Sequence, residues 1–92
     1  MHLRHDPTAR RFVADLSDGA QAILEYRPEG EGVLDYFHTY VPPAFRGRGI
    51  AGALVEFALE HARAQGLRVR PTCPFVARVI DSGDTYTDLR AT

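Results

Sequence analysis

Pro42-Pro43-Ala44-Phe45-Arg46-Gly47-Arg48-Gly49-Ile50-Ala51-Gly52 is the stretch on which the reading of this chain turns. Its glycines remove the Cβ atoms that would keep a ligand away from the backbone. The chain then enters a helix, whose first turn has N–H groups without intrahelical partners and the positive end of the helix dipole. Two arginines add positive charge at the same place. Together these features describe an anion site suited to a phosphate, and best to a pyrophosphate that spans several N–H groups.

Outward from the loop, the two sides read differently. Toward the C-terminus, Ile50, Leu54, Phe57, Ala58 and Ala62 recur at helical spacing, with Glu56, Glu60 and Arg63 largely off that face, which predicts a helix over 50–65. Gly66 follows as its C-terminal cap. Residues 67–71 form a short strand, so strand, crossover helix and strand make a parallel βαβ unit. Pro74 opens a short C-terminal helix through Ile80, which ends near Ser82-Gly83. The tail either adds a last short strand through Tyr86 or lies loosely on the surface. Toward the N-terminus, residues 33–41 are rich in aromatic and β-branched types and predict a strand that Pro42-Pro43 ends. Strict alternation would put Leu34, Tyr36, His38 and Tyr40 on one face and Val33, Asp35, Phe37, Thr39 and Val41 on the other. Residues 11–16 and 20–27 alternate as well, around a Ser17-Asp18-Gly19 turn, and form a hairpin. The fold class is therefore α+β (α/β), a mixed sheet with an antiparallel meander followed by a parallel βαβ unit.

Two familiar phosphate loops fail on inspection. A P-loop needs a lysine after its last glycine, and all 11 basic residues of this chain are arginines. A dinucleotide fingerprint is present in letters at Gly47, Gly49 and Gly52. It requires a strand directly before it and an acidic residue about 20 positions on. Here a proline-bearing spacer intervenes, and position 72 is Thr, flanked by Pro71 and Cys73.

The remaining pattern is R/Q-x-x-G-x-G/A opening a helix, matched by Arg46, Gly49 and Ala51. It resembles the acyl-coenzyme A pyrophosphate loop of the GNAT superfamily of N-acetyltransferases. His38-Thr39-x-Val41-Pro42, Arg46 to Ala51, the helix, and Thr72-Cys73-Pro74-Phe75-Val76 resemble one minimal branch of short stand-alone members, over roughly residues 10 to 80. The resemblance implies acetyl-coenzyme A as acyl donor and an unidentified amine, on a protein or a small molecule, as acceptor. The donor's pantetheine arm would lie where two parallel strands part, along Thr39, Tyr40 and Val41. Its pyrophosphate would rest on Arg46, Gly47, Arg48, Gly49, Ile50, Ala51 and Gly52. Larger members carry two further helices near the N-terminus that wall the acceptor site. Here the hairpin begins within about ten residues of Met1, which implies an acceptor side that is open or is completed by a second copy in a homo-oligomer.

Three side chains are candidates for the chemistry. Cys73 is expected at the end of the second parallel strand, as N-cap of the following helix. It could donate a proton to the departing thiolate, carry the acyl group, or wall the acetyl pocket; a buried structural cysteine is the plain alternative. His38, an imidazole on the donor-flanking strand, is the candidate base. Tyr86 corresponds to the tyrosine acid that many superfamily members place after the last helix. Asp35 and Tyr40 are expected on the surface. His2, His5 and His61 have no partners at metal-ligand spacing, so no metal is expected.

Composition fits this frame. The chain has 92 residues, 45% apolar and 25% charged, which allows one domain over 1–92. A net charge of −1 offers no general attraction to nucleic acid or to an anionic membrane. A single cysteine permits no intrachain disulfide, and no apolar run reaches a membrane span, so a cytoplasmic location is expected. Two other readings share these features: a non-catalytic acyl-coenzyme A sensor, and a small protein-interaction domain.

Overall fold

Helix α1 (Ile50–Ala64) organises the structure. Its buried residues are Ile50, Leu54, Val55, Ala58, Leu59 and Ala62, a stripe wider than the expected one. Phe57 is only partly buried and meets Phe12 edge-on, with ring centroids 6.2 Å apart. The helix ends as its glycine requires. Gly66 takes φ +68°, its N–H bonds the Arg63 carbonyl, and Leu67 N–H returns to the Ala62 carbonyl at 2.9 Å. That is the 6→1 and 5→2 pair of a Schellman cap.

The computed structural model describes residues 1–92. Its sheet has five strands in sequence order: β1 (His2–Asp6), β2 (Arg11–Asp15), β3 (Gln21–Pro28), β4 (Val33–Tyr40) and β5 (Arg68–Arg70). The first four run antiparallel to their neighbours, and β5 lies parallel to β4. The architecture is thus the expected mixed sheet with a parallel βαβ unit. Helix α2 (Pro74–Asp81) follows β5. It adds Val76 and Ile80 to the same cluster that joins α1 to Phe12, Leu24, Tyr36 and Val69. The two helices therefore share one face of the sheet, and no helix covers the other.

Three expectations need correction. No strand is expected before residue 11, yet β1 pairs with β2 from His2↔Asp15 to Asp6↔Arg11. Leu3 is its only aliphatic residue, so alternation could not reveal it. The usable signal was Asp6-Pro7, a turn-forming pair; the Asp6 carboxylate accepts the Ala9 N–H at 3.2 Å and closes the β1–β2 turn. The tail takes neither of its two expected courses: Tyr86 forms no strand, but the chain is docked, with Leu89 buried, Arg90 bridging Val69 in parallel, and Ala91 N–H bonded to the Val69 carbonyl.

The third correction positions the site. Glu25 pairs with His38 but Tyr26 pairs with Tyr36, so Phe37 is an extra residue, a bulge in β4. One inserted residue inverts every side chain beyond it. Tyr36 and Thr39 consequently share the helix-bearing face, through their partners Tyr26 and Leu24, while His38 and Tyr40 turn to the bare face. Asp35, expected at the surface, is only 5% exposed.

Candidate functional site

β4 and β5 are hydrogen-bonded only over Val33–Asp35 and Arg68–Arg70. One further tie follows, from Cys73 N–H to the Tyr36 carbonyl at 3.0 Å, and then the chains part. From Phe37 to Tyr40 the edge of β4 that faces β5 has no backbone partner. A strand edge with free N–H and C=O groups is a template for another extended group.

Beside that edge lies a cavity of about 400 Å³, in the size range of small-molecule sites. Thr39, Tyr40 and Val41 form one wall, and Phe45, Arg46, Gly47, Gly49, Ile50, Ala51 and Gly52 form another. Phe75, in the first turn of α2, closes the side. Every donor-binding residue expected from the sequence lines this cavity except Arg48, whose guanidinium lies 5.3 Å from the Phe45 ring centroid. Arg46 is more constrained than a loop arginine need be. Its Nε donates to the Val41 carbonyl at 2.8 Å and its guanidinium lies 5.6 Å over Tyr40, which ties the loop to the end of β4.

The loop backbone is the most distinctive part. The first hydrogen bond of α1 runs from Ala53 N–H to the Gly49 carbonyl. Before it, the N–H groups of Gly47, Arg48, Gly49, Ile50, Ala51 and Gly52 donate to no acceptor in the protein. Gly47 and Gly49 hold φ of +80° and +78°, a conformation glycine adopts without strain. A Cβ added at Gly47, Gly49 or Gly52 would meet no atom within 4 Å, so no protein atom crowds the backbone on that side. Anion-accepting N–H groups, a helix N-terminus and an apolar slot beside them fit a molecule with a pyrophosphate and a long, mostly neutral arm.

The candidate reacting groups separate. Cys73 is 7% exposed and is the N-cap of α2, with Pro74 in the first turn, and its Sγ lies 3.5 Å from Thr39 Oγ1. The bulge makes that contact, because it turns Thr39 toward the helix side. His38 is exposed on the opposite face, at the same point of the strand. Tyr86 is not brought here. It lines a second, smaller cleft with Glu56, Val79, Ile80, Ser82, Gly83 and Thr85, with the Arg63 guanidinium 5.9 Å from its ring. Burial and the nearby Glu60 raise its phenol above the usual value.

Asp35 is the residue that sequence reading missed. Its Oδ2 accepts the Arg27 Nε at 3.2 Å, while Oδ1 is buried with no partner. No sequence signal marked it, since its burial depends on neighbours from β3 and β5. No three His, Cys, Asp or Glu side chains come together as a metal-binding group, and no helix is long and apolar enough to cross a membrane.

Comparison with known proteins places the chain and its fold. A family model described as GCN5-related N-acetyl-transferase matches residues 11–89. Protein NATD1 of Bos taurus is 35% identical over 81 residues, which covers 87% of this chain and 72% of that one. Protein NATD1 of Homo sapiens is 33% identical over the same share of each. The solution structure of a GCN5-like protein from Staphylococcus aureus superposes with a TM-score of 0.75 over 98% of this chain and 87% of that one. At 24% identity that likeness speaks for the fold alone.

Proposed function

The chain belongs to the GCN5-related N-acetyltransferase family, and we propose that it transfers an acetyl group from acetyl-coenzyme A to an amine. The observation that carries this reading is the row of six unpaired amides from Gly47 to Gly52, set on a cavity whose opposite wall is the free edge of β4.

In this reading the amides and Arg46 hold the pyrophosphate, and the arm lies along Thr39–Val41 between Phe45 and Phe75. The donor supplies a thioester, a carbonyl activated toward an amine. Attack makes that carbonyl oxygen negative, and an N–H of the open β4 edge stabilises the charge in place. Cys73, beside Thr39 on the helix side, gives its proton to the departing thiolate. His38, on the bare face, accepts the proton that the amine must lose, directly or through water. In this reading the bulge sets the proposed acid and base on opposite sides of the reacting carbon. The acceptor enters over the bare face, which suits an amine on a larger molecule as well as a free one.

The test uses Gly52→Glu. Position 52 is an ordinary helical site with room for a side chain, so the fold is retained, while a carboxylate now occupies the anion cradle. Calorimetry should show acetyl-coenzyme A binding to the unaltered protein and a loss of roughly tenfold or more in the variant, ~1.4 kcal/mol. Equal binding by both proteins would refute the cradle. Tight binding without amine-stimulated thiol release, over a panel of peptide and small amines, would make the protein an acyl-coenzyme A sensor instead.

A further inference from the structure

A β-bulge gives up ladder hydrogen bonds and persists where neighbours fix it. The bulge at Phe37 is gripped from β3 by one side chain. Arg27 pairs in register with Asp35, donates its Nε to Asp35 Oδ2 at 3.2 Å, and lays its guanidinium 4.4 Å over the Phe37 ring. It therefore holds β4 on both sides of Tyr36, the residue whose carbonyl makes the last tie to Cys73. Asp35 depends on this grip, because its other oxygen is buried without a partner. The planar guanidinium is suited to the task, since one face stacks on an aromatic ring while its edge meets a carboxylate.

We propose that Arg27 is a positioning residue for acyl transfer: by holding Asp35 and Phe37 together it fixes the bulge, and so aims the β4 backbone N–H groups at the thioester carbonyl. Arg27 itself lies outside the donor cavity, with its side chain 59% exposed. Only the arginine side of this pair is exposed, and losing Arg27 would leave Asp35 buried and unpaired at some cost in stability. That cost does not require the stacking on Phe37, which geometry does. Oxyanion donors act only when held in place, and a displacement of about 1 Å can cost on the order of a hundredfold in rate. The inference rests on the proposed function, and it concerns the strand edge rather than the phosphate cradle.

The experiment compares the unaltered protein with Arg27→Gln, using acetyl-coenzyme A labelled with carbon-13 at the acetyl carbonyl. Hydrogen bonds to a carbonyl deshield its carbon, so the bound resonance reports how well the N–H groups are aimed, with no acceptor needed. The expected result is a downfield shift on binding to the unaltered protein, with most of it lost in Arg27→Gln. Affinity for acetyl-coenzyme A should stay within about fivefold, and the variant should remain folded at the temperature of the experiment, with a lowered unfolding midpoint because Asp35 loses its partner. An undiminished shift in the variant would overturn the proposal and leave the function standing. Loss of binding or of folding in the variant would also overturn it, because Arg27 would then be structural. No binding by the unaltered protein would overturn both readings at once.

Discussion

Cys73 is the residue on which chemistry and packing compete. It has the burial of an ordinary core cysteine, yet it stands at the N-terminus of α2 with its sulfur against Thr39, which itself lines the cavity. The two roles differ in what its loss removes. As proton donor, Cys73→Ala should lower kcat by on the order of 10² with little change in KM for acetyl-coenzyme A. As a packing residue, the same change should lower the unfolding free energy and leave the rate of the folded fraction intact. Steady-state thiol release read beside urea unfolding separates them, and acetylation of Cys73 seen by mass spectrometry would mark a covalent carrier. Cys73 was legible because Cys-Pro before an apolar run reads as a cap and a first turn. Asp35 was not, because alternation in one strand says nothing of the arginines on its neighbours.

Among the elements, β1 shows how packing overrides pattern. Its five residues carry little apolar surface, but His5 stacks on Phe12 at 4.7 Å, meets His61 of α1 at 4.3 Å, and shares a 2.6 Å hydrogen bond with the Tyr26 hydroxyl. Burial, with the neighbouring His61, lowers the His5 pKa below its ordinary 6.5, against an opposing pull from Asp6. The unfolded chain therefore binds the proton more readily than the folded one. Stability from this contact is full above 6.5 and is lost as the pH falls below it. Urea unfolding about one unit above and one unit below that value should show a drop that His5→Phe reduces. An equal drop in the variant would remove His5 from the account.

The parallel pair is held by a different device. Tyr36 sits fully buried under α1, its hydroxyl donates to the Ala58 carbonyl at 2.7 Å, and burial raises its phenol far above the usual value. Tyr36→Phe keeps the ring and removes the bond, and should cost about 1 kcal/mol in chemical unfolding. The loop and α1 were readable from glycine positions and helical period. The bulge was not, since the run over 33–41 mixes polar and apolar residues on both faces, and a single extra residue leaves no clear break in its alternation.

At the scale of the whole molecule, the β2–β3 hairpin, the crossover helix and the glycine loop are local features, and they are legible in the sequence. Which face of β4 looks where, and that both helices share one side of the sheet, depend on pairing between distant segments. Those two facts decide the site. They place Thr39 and Cys73 behind the open strand edge, leave His38 and the Arg27 grip on the bare face, and send Tyr86 to a separate cleft. The central claim is that acetyl-coenzyme A lies in the parting of β4 and β5 with its pyrophosphate on the start of α1. Amide chemical shifts recorded during titration with acetyl-coenzyme A test it most directly. The largest changes should fall on Gly47, Gly49, Ile50, Ala51 and Gly52, followed by Thr39 to Val41. Changes confined to the cleft around Tyr86, or none at saturating ligand, would contradict it.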